Sequence, residues 1–226
     1  MTSRTRTLPL IALLALIFLL PSSASALDRT ITVNGSATQQ VPNDTAGLGF
    51  QVAKERSSRA AALRVVAVRL QAVIAAAQDI PGVGAGDITT GQIAIRKVNR
   101  DKRTLYRASE GISVILHQPN RAGELVSAAV AAGATGTRGP HFFPGDPELA
   151  YENTLLIAFD QAKAKATALA SRAGATLGPA VSIEEGSEVV PNLPEASKGA
   201  SAQPAPPTKP GSSTVTASVH VVFSFE

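Results

Sequence analysis

Cysteine is missing from all 226 residues, and its absence removes whole classes of chemistry. No disulfide, thiolate nucleophile or zinc–thiolate centre can form, so the fold must hold together by burial alone. Histidine is nearly as scarce. His117, His141 and His220 lie far apart in sequence, each in or at the end of a predicted strand, where a solvated imidazole is commoner than a metal ligand. No H-E-x-x-H, G-x-S-x-G, glycine-rich phosphate loop or calcium loop is present. Asp146, His141 and Ser171 can be drawn as a triad, but Asp146 is better placed as a helix cap, so the triad is rejected. The expectation is a protein that is not an enzyme, with no catalytic residue, no metal ligand and no cofactor.

Charge of one sign is also lacking once the first residues are set aside. Arg4 and Arg6 precede an apolar run over residues 10–20, Pro21 breaks it, and Ser-Ala-Ser-Ala at 23–26 offers a signal-peptidase site after Ala26. The run falls short of the ~20 residues that span a bilayer, so no transmembrane segment is expected after cleavage. No cysteine follows the site to carry a lipid, and no arginine pair precedes the run. Residues 1–26 therefore read as a cleavable export signal, and the expected location is the periplasm. Losing Arg4 and Arg6 takes the 21 basic residues to 19 against 17 acidic ones, so the formal charge drops from +4 to +2. That balance gives no reason to expect nucleic acid as a partner.

What is present reads as one domain over residues 27–226. Residues 146–178 are its longest helix, capped by Asp146, opened by Pro147 and closed by Gly174. Tyr151, Leu155, Phe159, Ala162, Ala166, Leu169 and Ala173 form its predicted apolar stripe. Because that stripe is mostly alanine, whatever it lies on must approach closely. Residues 29–40 and the alternating Ala46, Leu48, Phe50 and Val52 read as an opening hairpin, turned by Pro42, Asn43 and Asp44. A helix capped by Ser57 or Ser58 follows, with Leu63, Val66, Leu70, Val73 and Ala77 on its inner face.

Residues 87–98 and 105–117 read as a second hairpin, with Tyr106, Ala108, Glu110, Ile112, Val114 and Leu116 on one face and Glu110 expected beyond the core edge. Asn120 is placed to cap a short helix, and a strand over 134–143 leads into the long helix. Strands over 179–185 and from Val215 to the C-terminus flank a proline-rich insert at 191–213, which carries six prolines. The sum is an α+β fold, helices on an antiparallel or mixed sheet, in the order ββαββαβαββ.

The second hairpin holds the one dense charge run: Arg96, Lys97, Arg100, Lys102, Arg103 and Arg107. A solvated hairpin tip accounts for it. The alternative is a surface for anionic head groups, glycans or a protein partner. Tyr106 is its single aromatic, so the interleaving that single-stranded nucleic acid requires is absent.

Four stretches together resemble the SIMPL-domain family: ITVNGSATQQVPND, GATGTRGPHFF, AFDQAKAKATALASRAGATLGPAVSIEE and the closing VTASVHVVFSFE. The segment from Gly174 to Gly178 that follows the helix is the most specific. Bacterial members of that family include periplasmic immunogenic proteins and proteins described as oxidative-stress defence factors. The resemblance implies an exported α+β domain that self-assembles, with no established catalytic activity and no agreed active-site residues. Two functions are therefore expected to compete. One is a non-catalytic envelope protein that forms a homo-oligomer and binds or protects another envelope component. The other is a periplasmic small-ligand binder or hydrolase whose scattered site sequence does not reveal.

Overall fold

The computed structural model describes residues 29–101, 103–186 and 209–226. The export signal, Lys102 and the insert as far as residue 208 lie outside the described residues. The fold is α+β, built as two antiparallel sheets with a separate helix layer on each.

The first sheet has the order β1-β8-β7, from β1 (Thr30–Pro42), β7 (Leu177–Glu185) and β8 (Ser212–Phe225). The second contains β2 (Thr45–Arg56), β3 (Ile88–Thr90), β4 (Ala94–Arg100), β5 (Arg103–Leu116) and β6 (Gly136–Phe143). Its order is β3-β5-β2-β6, with β4 beside β3 on the same side of β5. Helices α1 (Arg59–Gln78) and α2 (Ala122–Ala131) serve the second sheet, and α3 (Pro147–Arg172) lies on the first.

Alternation decides which faces are buried. Leu48, Phe50 and Val52 of β2 and Ile112, Val114 and Leu116 of β5 project to one side. There they meet Val66, Leu70 and Val73 of α1 and Leu125 of α2. The predicted α1 stripe holds, except that Ala62 rather than Leu63 is fully buried at its start. Ser58 caps the helix by accepting from the Ala61 amide at 3.2 Å. In the other half, Val33 of β1 and Val219, Val221 and Phe223 of β8 pack under α3.

The opening hairpin is not formed. β1 pairs with β8 along its whole length, whereas β2 pairs with β5 and β6. Asn43 and Asp44 carry the chain from one sheet to the other. A short polar turn looks the same whether the strands beside it pair or part company. The chain returns between β6 and α3, and both passages meet: Asp44 Oδ1 accepts from the Gly145 amide at 2.6 Å. Asn43 pins the end of the insert to the same place, donating to the Pro210 and Gly211 carbonyls.

Other expectations shift in detail. Residues 87–98 are two strands, β3 and β4, broken at 91–93, so one more strand precedes β5 than predicted. Glu110 is buried, 9% exposed, rather than beyond the core edge. Asn120 does not cap α2, which begins after a short turn at Pro119–Arg121. Ser212 and Ser213 belong to β8 rather than to the insert.

The α3 stripe needs the largest correction. Its buried residues are Ala150, Tyr151, Thr154, Ala158, Ala162, Ala166 and Ala170. Apart from Tyr151 these recur strictly every four residues, and each such step overshoots a full turn by about 40°. The contact ridge therefore winds around the helix, and Leu169 ends up beside it, 53% exposed. Leu155 and Phe159 flank the ridge, half-buried, and Ala173 is exposed. The close approach is as expected. At Gly35 on β1 a Cβ would overlap the Ala158 carbonyl oxygen and stand 3.0 Å from the Ala162 Cβ.

Candidate functional site

The face of the five-stranded sheet opposite α1 has no helix over it among the described residues. Residues paired across antiparallel strands project to the same face, so the register maps this surface. One end is a charged row: Arg96 on β4 opposes Arg107 on β5, which opposes Glu55 on β2. Arg107 Nη1 and Arg100 Nη2 each stand 3.5 Å from Glu55 Oε1. The Arg107 Nε is buried without a hydrogen-bond partner. The other face of the same hairpin aligns Lys97, Tyr106 and Arg56. There Arg59, at the start of α1, holds its guanidinium 5.4 Å from the Tyr106 ring centre.

Of the predicted cations, Arg96, Lys97, Arg100 and Arg103 are exposed on the hairpin, while Arg107 is half-buried. The register places Arg96, Arg100, Arg103 and Arg107 on the helix-free face and Lys97 on the other. Asp101 makes the turn in the left-handed region, φ 48°, which a short polar side chain tolerates. Glu55, Arg56 and Arg59 complete the cluster and were not foreseen. Their signal was the charged end of β2, Lys54-Glu55-Arg56, where apolar alternation stops.

Further along the helix-free face lies a groove of about 300 Å³, lined by Gly49, Gln51, Gly111, Ser113, Gly136 and Arg138 among others. Among the described residues nothing demands glycine at three of its positions, 49, 111 and 136. None of Gly49, Gly111 and Gly136 has positive φ. An added Cβ would meet nothing nearer than 3.5 Å at Gly49 or Gly111, or 3.7 Å at Gly136.

The histidines do not converge. His117 Nε2 lies 3.2 Å from Asp87 Oδ1, and the His220 ring shares a 2.6 Å hydrogen bond with Asn34 Oδ1. The His141 Nε2 is buried without a partner. Among the described residues no three His, Asp or Glu side chains stand close enough to share a metal ion. Asp146 caps α3, accepting from the Leu149 amide at 2.9 Å. Ser171 lies near the other end of that helix, about 37 Å away, so the triad has no geometry. The Asp87 carboxyl is held below its ordinary pKa, first by the Gly84 amide that donates to it and then by His117. The pair joins the turn before β3 to the end of β5.

Two antiparallel sheets, each with helices on one side, define an α+β protein. The chain belongs to the SIMPL family, described as protein of unknown function (DUF541), whose model matches residues 31–223. No curated protein matches it.

Proposed function

We propose that the protein is exported to the periplasm and acts there without catalysis, assembling with copies of itself and binding or protecting another envelope component. The observation that carries this reading is the row of exposed aliphatic side chains on α3. The helix buries Tyr151, Thr154 and five alanines, yet leaves Leu149 52%, Leu156 64% and Ile157 37% exposed. Leu149 and Leu156 are seven residues apart and fall within about 20° of each other on the outward face. An ordinary surface helix turns its large aliphatics inward. Assembly gives these side chains the cover that the monomer withholds. The basic hairpin supplies a surface for the binding role.

The test is the protein recovered from cells. It should come from the envelope fraction, begin at Leu27 and run as a defined multi-subunit species. Full-length chain in the cytoplasm, or a monomer at every concentration, contradicts the proposal. The glycine-floored groove favours a second reading, a periplasmic small-ligand binder, because its volume is at the lower end for such sites and its walls mix apolar surface with polar groups such as Gln51, Ser113 and Arg138. A tightly bound small molecule co-purifying with a monomer would favour that reading instead.

A further inference from the structure

We infer that the outer edge of β4 receives an extended acidic segment of another protein by strand addition. This rests on the binding role proposed above and names its partner class. Among the described residues β4 is paired on one side only, to β5, and its register from Ala94↔Ser109 to Arg100↔Arg103 has no irregularity. Of the other sheet edges, β3 has only three residues and the longer ones are spoiled for pairing. On β1, Lys165 Nζ donates to the Asn34 carbonyl at 2.9 Å, occupying a main-chain acceptor. β7 has two register shifts against β8. β6 carries Pro140, which has no amide to donate, and a register shift against β2. β4 has neither proline nor bulge.

Charge and exposure select the occupant. Arg96, Lys97 and Arg100 are exposed on β4 and Arg103 follows on β5, with no acidic residue on either strand before Glu110 except Asp101 at the turn. Among the described residues, the hairpin cations that meet a carboxylate are Arg100 and Arg107, both at Glu55. Ile95 on β4 is 38% exposed and Ile93 just before it 55%. Lysine and arginine on an edge strand ordinarily deter pairing, and a second β4 would bring three cations against three. The same charges attract a strand that carries acids. Carboxylates opposite Arg96 and Arg100 on one face and Lys97 on the other, with an aliphatic side chain opposite Ile95, would match β4 position by position. A seven-residue strand such as β4 spans about 23 Å, which sets the length of the segment.

The experiment uses the full mature chain and a synthetic seven-residue peptide with glutamate opposite Arg96, Lys97 and Arg100, valine opposite Ile95 and threonine elsewhere. Binding is read by fluorescence anisotropy and by amide exchange over residues 94–100. Three results are expected: those amides gain protection, Arg96→Glu with Arg100→Glu weakens binding about tenfold or more, and a peptide N-methylated at alternate residues binds equally poorly despite its unchanged charge. Equal binding of the N-methylated peptide, or of a sulfated glycan fragment that displaces it without protecting β4, would reduce the surface to plain electrostatics and overturn the inference. Absence of peptide binding would overturn it too. Protection of the β4 amides in the protein alone that fades on dilution would place a second copy there, with the same consequence. Export and assembly are measured independently by fractionation and light scattering, so they stand or fall separately.

Discussion

Gly35 and Ala158 are in contact through their main chains: the carbonyl of Ala158 in α3 occupies the space where a side chain at Gly35 in β1 would begin. A strand glycine is unfavourable by itself, and here the cost is offset by a helix that comes down onto the sheet along a ridge of alanines. Small residues on both partners permit that approach.

Two strand glycines should consequently respond in opposite ways to one added methyl group. Gly35→Ala must push α3 off β1 or distort it, and should cost about 3 kcal/mol as an overpacking change. Gly111→Ala has room and an unexceptional backbone, so it should be neutral or gain up to about 1 kcal/mol. Denaturant melts of the two variants beside the wild type give the comparison, and equal effects would show that the α3–β1 contact is looser than described.

The winding ridge on α3 makes a second contrast. Ala166 is fully buried and Leu169, three residues on, is half in water. Ala166→Asp should cost several kcal/mol, since its carboxylate would be buried without a partner, while Leu169→Asp should stay within about 0.5 kcal/mol. Hydrophobicity alone ranks these positions the other way round. Urea midpoints decide between the ridge and the stripe.

That reversal shows which parts of this fold local sequence can reveal. β8 and β5 were legible because valine, isoleucine and phenylalanine alternate with polar residues, leaving one inward face. The caps at Ser58 and Asp146 and the stop at Gly174 were legible because each meets a single local steric or hydrogen-bonding demand. The face of α3 was not, because alanine occurs on every side of it and hydropathy cannot tell a contact ridge from a wet one. The partner of β1 was not either. It lies on a strand 178 residues away at Thr38 and Thr216, and nothing local separates a hairpin from a crossing. The basic hairpin could be placed from its charges, but its carboxylate, Glu55, comes from β2, which only the register brings alongside.

Asp87 predicts a pH dependence. Its folded pKa lies below the unfolded value, so its contribution is fully present above the unfolded pKa and is lost as pH falls through the folded one. Asp87→Asn should therefore lower stability at neutral pH, and the deficit should shrink as pH drops below about 4. Guanidinium melts at neutral and acid pH check this. A deficit that does not change with pH would mean that the Gly84 and His117 contacts do not depend on the carboxylate charge.

Light scattering of the mature chain, with and without the outward leucines of α3, tests the account most directly. The wild type should form a defined oligomer. Leu149→Glu with Leu156→Glu should shift it to smaller species while the melting temperature moves by no more than a few degrees, because both positions are more than half exposed in the single chain. A wild type that stays monomeric, or a double variant that assembles unchanged, would contradict the claim that this helix turns Leu149 and Leu156 outward to meet another copy.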